Sequence, residues 1–404
     1  MTRRTPKRHR IGFTLVELMI VIVIIGILVG LLLPVIIAAV RRANDARVAA
    51  EIQTIAAGLG KFKDRHGEYP PSRVVLSESG VYSAQGTFST PQTADYALAL
   101  SDSSITWMKD VNGNSTVRFV STPSNKHDIS LGELAQRSLR SLRKFFPKAI
   151  LRPVDLTLPP DGKIDYWPDF NGNNTQDAGF IYLEGHECLV FFLGGIPTAT
   201  TNSNGAISFG MSGFGKEPLF PFKNAGVVAG PVSTSNREPQ FYEFKGDRLV
   251  DEDGDGIPGY MDPLGAAPAG QFYAYFSAHG AAGYDPNDFD STTEPQDDAG
   301  LVVGNDFRVG VPILGATVPN TTFSPAPNPY TVSAPAPATS GTAIPPAAYV
   351  NANSFQIISA GGDQMYGPGG QYSTSGDKLP PPPLPGLRIR ENDNVGNFTA
   401  GRLN

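Results

Sequence analysis

The sequence predicts an α+β chain: a long N-terminal membrane-spanning helix packed on a small antiparallel β-sheet with large loop insertions. Three observations predict it. Leu18 to Val40 is a run of 23 residues without a charge. Beyond it, Val48, Ile52, Ile55, Leu59 and Phe62 recur at alternating steps of four and three, the spacing of one helix face, with Glu51 among the charged residues expected on the polar remainder. The remainder is rich in glycine and proline, with 44 and 36 residues in a chain only 17% charged, so turns and short strands are expected rather than a helical bundle.

As a helix, the uncharged run rises about 35 Å, enough to cross a hydrocarbon core of roughly 30 Å. The twelve residues before Phe13 hold Arg3, Arg4, Lys7, Arg8 and Arg10 and no acid. A basic segment ahead of an apolar run has the outline of a secretory signal peptide, but this run is too long and no small-residue cleavage site follows it. The basic cluster is expected to stay cytoplasmic, which puts the rest of the chain across the membrane. The pattern divides the chain into a leader (1–12), a transmembrane helix (13–40), an amphipathic continuation (41–66) and an extracytoplasmic β-rich domain (67–404).

Within that domain, about 72–147, 319–348 and 378–390 read as insertions, the last two being proline-rich and of low complexity. A helix is expected near Ile129 to Phe145, carrying Leu131, Leu134, Leu139 and Leu142. Cys188–Leu193, Phe241–Phe244, Gln271–Ser277 and Ser354–Ser359 read as strands of an antiparallel sheet.

The formal charge is −6; without the first twelve residues it becomes 27 basic against 38 acidic side chains, or −11. An acidic protein is not expected to bind nucleic acid, which needs a basic surface, but it is compatible with divalent cations. One cysteine, Cys188, cannot make an internal disulfide. Gly210 to Lys216 has the GxxxxGK spacing of a phosphate loop, yet Glu217 stands where Ser or Thr would hold magnesium, so a plain glycine-rich loop is expected. His186 and Cys188 would share one strand face, but two ligands do not make a zinc site; a core cysteine beside a surface histidine is expected. No nucleophile sits in a recognisable elbow, and no enzyme is expected.

Asp251 to Asp262 places acids at loop positions 1, 3, 5 and 12 with Gly256 at position 6, the spacing of a twelve-residue calcium loop. Asp251, Asp253, Asp255 and Asp262 would each supply a carboxylate and Ile257 its carbonyl. Pro258 and the short acid at the last position depart from the usual loop, and a solvated acidic turn is the alternative. Asp169, Asn171, Asn173 and Asp177 form a looser version.

Glu17 is the one acid at the mouth of the apolar run. A carboxylate deep in a bilayer costs about 2–3 kcal/mol on insertion scales, so it needs a partner. Behind the basic leader, Gly12-Phe13-Thr14-Leu15-Val16-Glu17 resembles the class III signal of type IV pilins and type II secretion pseudopilins. The resemblance implies a pilin-like fold, cleavage after Gly12 by a prepilin peptidase and methylation of the new amine of Phe13. Glu17 is then the fifth mature residue, and Pro34 falls at position 22, where such helices often kink. Cleavage leaves an ammonium one helical turn from Glu17, so Glu17 of one subunit can pair with the amine of the next and set their stagger.

Asp64-Arg65-His66-Gly67-Glu68-Tyr69-Pro70 is similar to the turn that ends this helix in secretion pseudopilins. The stretches from Met261 to Phe276 and from Phe355 to Gly370 resemble the major pseudopilin's last strands and calcium loop, which implies Asp363 and Asp393 as calcium ligands. The function implied is a subunit of a type II secretion pseudopilus, in the bacterial inner membrane as a single-pass protein with a cytoplasmic N-terminus and a periplasmic domain. Its partners would be copies of itself, other pseudopilins, the prepilin peptidase, an inner-membrane assembly platform and lipid. Two alternatives stand beside it: a type IV pilus subunit for adhesion, motility or DNA uptake, and a membrane-anchored calcium- or ligand-binding domain that never polymerises.

Overall fold

A computed structural model describes residues 15–82, 105–109, 115–119, 131–157, 160–177, 179–201, 205, 207–223, 236–251, 254–265, 271–278, 284, 328–332, 349–366, 369–372, 388–399 and 401–403. The chain divides into two units, Met1–Ala46 and Arg47–Asn404. Helix α1 runs from Leu15 to His66. After it come β1 (Val74–Ser77), the hairpin β2 (Ile105–Lys109) and β3 (Ser115–Phe119), α2 (Leu131–Phe145), β4 (Phe180–Leu183) and α3 (Gly185–Gly194). The hairpin β5 (Pro197–Thr201) and β6 (Ile207–Met211) follows, then β7 (Leu249–Val250), β8 (Gly259–Tyr260) and β9 (Ala274–Ser277). The last strands are β10 (Asn328–Thr331), β11 (Phe355–Ser359), β12 (Gly369–Gln371) and β13 (Val395–Gly396).

The α+β class holds, with the long apolar N-terminal helix and small sheets expected. In place of a single sheet, the described strands form small separate sheets. β1 pairs antiparallel with β4, Val74 opposite Leu183. β11 lies between β9 and β13, antiparallel to both, with Phe355 opposite Ser277 and Ile358 opposite Gly396. β10 and β12 are a parallel pair. Gln356, buried on β11, ties that region together: its Nε2 donates to Tyr330 O at 2.9 Å and Val350 O at 2.8 Å, and its Oε1 accepts from Tyr330 N at 2.8 Å.

The stripe read from the sequence is the buried face of α1: Val48, Ile52, Ile55, Leu59 and Phe62 are all fully buried. Burying five such side chains contributes about 10 kcal/mol gross. Gly58 joins them, because a Cβ there would stand 3.1 Å from Phe241 O. Phe62 meets Phe145 of α2 and Phe192 of α3 edge-on, at 5.2 and 5.8 Å between centroids. The helix stops at Gly67, which takes φ +87° and donates to Lys63 O at 2.7 Å. Tyr69 then packs edge-on to Phe355 at 4.9 Å, and Pro70 O accepts from Tyr275 Oη at 2.7 Å. The Gly-Glu-Tyr-Pro turn thus hands the chain from α1 to the β11–β9 sheet.

Three expectations are corrected. Cys188–Leu193 lies in a helix, α3, buried along its whole length. An unbroken apolar run buried on all sides has no period to separate strand from helix. Local signals decide it: Glu187 Oε2 accepts from Glu184 N at 2.9 Å at the start, and Gly195 at φ +89° donates to Phe191 O at the end. His186 and Cys188 therefore share no strand face, and His186 is fully buried, 4.7 Å from the Phe272 ring. Phe241–Phe244 is irregular chain rather than a strand, fixed by the bond from Phe241 N to Leu193 O at 2.8 Å. The expected helix near 129–145 is α2, and Ser138 on it accepts from Val75 N of β1 at 2.9 Å. Both described ends of the expected insertion at 72–147 thus build core, with Val74, Leu76, Leu142 and Phe145 buried.

A polar cluster around Glu51 fixes the second half of α1 within the β-rich unit. Glu51, expected on the polar remainder of the helix, faces inward. Arg248 clasps it with two bonds, Nη1 to Oε1 at 2.7 Å and Nη2 to Oε2 at 2.9 Å. Tyr273, Tyr260 and Tyr242 donate their hydroxyls to the same carboxylate at 2.7, 3.1 and 3.2 Å. Burial pushes the Glu51 carboxyl up, but the bonds from Arg248 and the tyrosines and the Arg248 charge outweigh it and hold it below the ordinary glutamate value. A depressed acid contributes stability above its unfolded pKa and loses it as pH falls through the folded one. Arg248→Ala leaves this near-buried carboxylate without its cation and is expected to cost about 3 kcal/mol or more, read by denaturant unfolding of the full chain in micelles. A loss under about 1 kcal/mol would mean the pair behaves as a surface ion pair.

Candidate functional site

From Leu15 to Val40, twenty large apolar side chains of α1 are exposed, each by 45% or more. They surround the helix rather than forming a stripe, the mark of a segment whose medium is lipid or other helices. The helix is long and apolar enough to cross a membrane, with a mean hydropathy of 3.4 over its best 18-residue window. Glu17 is the only acid in its first turn. Pro34 lies inside the helix, where its missing N–H takes the intrahelical donor away from the carbonyl of Gly30. Gly12 and Phe13 fall outside the described residues.

The acidic segments occupy two separate places. Asp251 accepts from the backbone of Gly254 at 2.9 Å and Gly256 at 3.1 Å, and Asp255 Oδ1 accepts from Ile257 N at 2.8 Å. Asp253 is outside the described residues, and the Ile257 side chain is core. Asp262 departs from the expected shell. The loop is the tip of the β7–β8 hairpin, where Val250 faces Gly259, so Asp262 is carried about 10 Å further down the ladder. There it is fully buried, accepting from Leu264 N at 2.7 Å and from the Ser359 hydroxyl. Burial pushes its carboxyl up to about 6, against the opposing Ser359 bond.

Asp363 and Asp393, the calcium ligands implied by resemblance, touch through the backbone of Asp363, whose own Oδ1 accepts from Met365 N at 2.8 Å. Asp393 Oδ2 accepts from Asp363 N at 2.9 Å, and Gly361, at φ +68°, would set a Cβ 2.0 Å from Asp393 O. Two carboxylates are fewer than the six to eight oxygens calcium takes. Among the described residues no group of three or more His, Cys, Asp or Glu side chains gathers as a metal site. The GxxxxGK segment is no phosphate cradle: Gly213, Gly215 and Lys216 donate their N–H groups to Gly194 O, Pro221 O and Asn236 O.

Residues 7–33 match the model of the prokaryotic N-terminal methylation motif. The chain is also 31% identical over 116 residues to the type IV wide pilus major component of Thermus thermophilus, covering 29% of this chain and 84% of that protein. The chain belongs to the type IV pilin-like family. No solved structure matches it at comparable significance. In this pilin-like chain the matched motif spans Gly12, Phe13 and Glu17, the residues singled out for processing and assembly, and ends just before Pro34.

No motif marks Glu78, which organises the looser acidic loop. It is fully buried, its Oε1 accepting from Phe170 N at 2.9 Å and its Oε2 from Asp177 N at 2.8 Å. Asn171 bridges that loop to the hairpin tip, donating to Asp177 Oδ2 and to Asp255 O, each at 2.9 Å. Burial pushes the Glu78 carboxyl up to about 8; the N–H of Asp177 opposes this and the charge of Asp169 adds to it. A raised acid contributes most below its unfolded value of 4.5 and loses that contribution as pH rises through about 8. The pilin-like domain is therefore expected to melt at lower temperature as pH climbs through that window, and Glu78→Gln should flatten the slope while lowering the midpoint at acid pH. An unchanged slope in the variant would assign the pH dependence to other groups.

Proposed function

We propose that the chain is a prepilin-type subunit, cut after Gly12, methylated on Phe13 and polymerised through the exposed part of α1 into a helical filament. The observation that carries this reading is the helix itself: twenty exposed apolar side chains, one acid at Glu17, and a methylation motif over the same residues. Water is no medium for that surface. A membrane holds it before assembly, and a bundle of like helices holds it after. Contact of one copy's helix with a different face of the next is heterologous and need not close, which produces a filament rather than a ring. Glu17 sets the stagger by meeting the amine of Phe13 in the neighbouring copy. The role is structural rather than enzymatic, in a single-pass inner-membrane subunit with a periplasmic domain.

Within that class we favour a type II secretion pseudopilus, on the Asp64–Pro70 turn and the stretches from Met261 to Phe276 and from Phe355 to Gly370. The type IV pilus is the second reading, and the Thermus relative, a pilus component by name, favours it. Calcium belongs to the proposal as a ligand of the Asp363 and Asp393 pair that the fold brings together.

Mass spectrometry of protein from cells is expected to find a chain beginning at methylated Phe13, and Glu17→Ala should reduce assembled filament at least tenfold while leaving the subunit in the membrane. A chain retaining Met1 in functional filaments would overturn the processing step, and a strictly monomeric membrane protein would favour the anchored-domain alternative. Loss of export without loss of long surface fibres, or the reverse, separates the two filament systems. For calcium, the melting midpoint of the full chain should rise in millimolar calcium relative to chelator and stop responding in Asp393→Ala; equal midpoints would remove the metal.

A further inference from the structure

We propose that a cavity at the end of α1 binds a small aromatic anion: a flat apolar body with a single carboxylate or sulfonate. The cavity is about 330 Å³, at the small end of the range for ligand pockets, roughly 300–1,000 Å³. It lies in the β-rich unit, where the end of α1, the end of α2, the end of α3, the Gly213–Lys216 segment and Glu238–Phe241 come together. Its walls are aromatic, with Phe145, Phe146, Phe214 and Phe241 among the lining residues, and Phe146 and Phe214 edge-on at 4.9 Å. The site stands apart from the filament reading, since none of its lining residues belongs to the apolar half of α1.

Charge selects the ligand. The lining carries three cations, Arg65, Lys148 and Lys216, against one carboxylate, Glu238. Arg65 is matched by Glu238 at 3.1 Å. Lys148 and Lys216 are exposed, and among the described residues no carboxylate lies within ion-pair distance of either. Three helix C-termini also end here, each worth about half a negative charge, and would favour a cation if bare. They are not bare: Lys63 O accepts from Gly67 N, Phe145 O from the His66 ring, Leu193 O from Phe241 N and Gly194 O from Gly213 N. Two whole positive charges therefore outweigh three capped dipole ends. The N–H groups of Gly213, Gly215 and Lys216 are already used, so an anion is held by ammonium groups at the mouth and not by a backbone nest. Inorganic phosphate would leave the phenylalanine walls uncovered; an aromatic acid meets both.

The test is fluorine NMR of the full chain in lipid nanodiscs, titrating 6-fluoro-2-naphthoate and its neutral counterpart 6-fluoro-2-naphthalenemethanol, with empty nanodiscs subtracted. Naphthoate is expected to bind more tightly than the alcohol, and the double variant Lys148→Ala, Lys216→Ala to weaken naphthoate about fivefold to tenfold while leaving the alcohol unchanged. Both lysines are exposed, so an unaltered melting midpoint verifies the fold of the variant. No protein-dependent broadening of either probe at millimolar concentration, equal binding of acid and alcohol, or undiminished naphthoate binding by the double variant would each overturn the assignment.

Discussion

One helix, Leu15–His66, has to be insoluble over its first half and part of a folded core over its second, and the rest of the molecule answers to that requirement. Up to Val40 its side chains, Glu17 apart, are apolar on every side and exposed. From Val48 onward only one face is apolar, and that face is buried to the last atom. The change from an all-round apolar surface to a stripe is a change of solvent written into residue spacing.

Two of the acids on this helix, Glu17 and Glu51, meet the same problem in different ways. Glu51 is a carboxylate held where water is scarce, as Glu17 is in the proposed membrane helix, and such an acid needs a cation and donors to be tolerated. Glu51 finds Arg248 and three tyrosine hydroxyls within its own chain, and they fix how the second half of α1 seats in the β-rich unit. Glu17, in the proposed reading, meets the Phe13 amine of a neighbouring copy. An acid satisfied internally builds a fold, while one satisfied externally builds an assembly.

Much of this was legible in residue spacing, and the failures have physical causes. The stripe from Val48 to Phe62 was readable because a half-buried helix must repeat at 3.6 residues. The Gly67 stop was readable from its turn residues, and α2 and β11, expected near 129–145 and at Ser354–Ser359, lie at Leu131–Phe145 and Phe355–Ser359. Cys188–Leu193 reads as a strand in sequence but lies in the helix Gly185–Gly194, because total burial erases periodicity and leaves only Glu187 and Gly195 to announce a helix. Glu51 looked like surface because its partner lies 197 residues away, and nothing local marks Arg248 as that partner. The acidic loop from Asp251 to Asp262 had the right spacing for calcium, but a hairpin ladder carries Asp262 away from the tip, a tertiary fact that no count along the chain contains. Asp363 and Asp393 were linked by resemblance, and the structure brings them together for a local reason: Gly361 permits the close approach.

The most direct test is a helical reconstruction of the assembled filament by electron cryomicroscopy. A central bundle made of residues 13–40 is expected, with Glu17 of each copy within hydrogen-bond distance of a neighbour's Phe13 amine. A filament whose copies touch only through their β-rich domains, with the apolar helices apart, would contradict it.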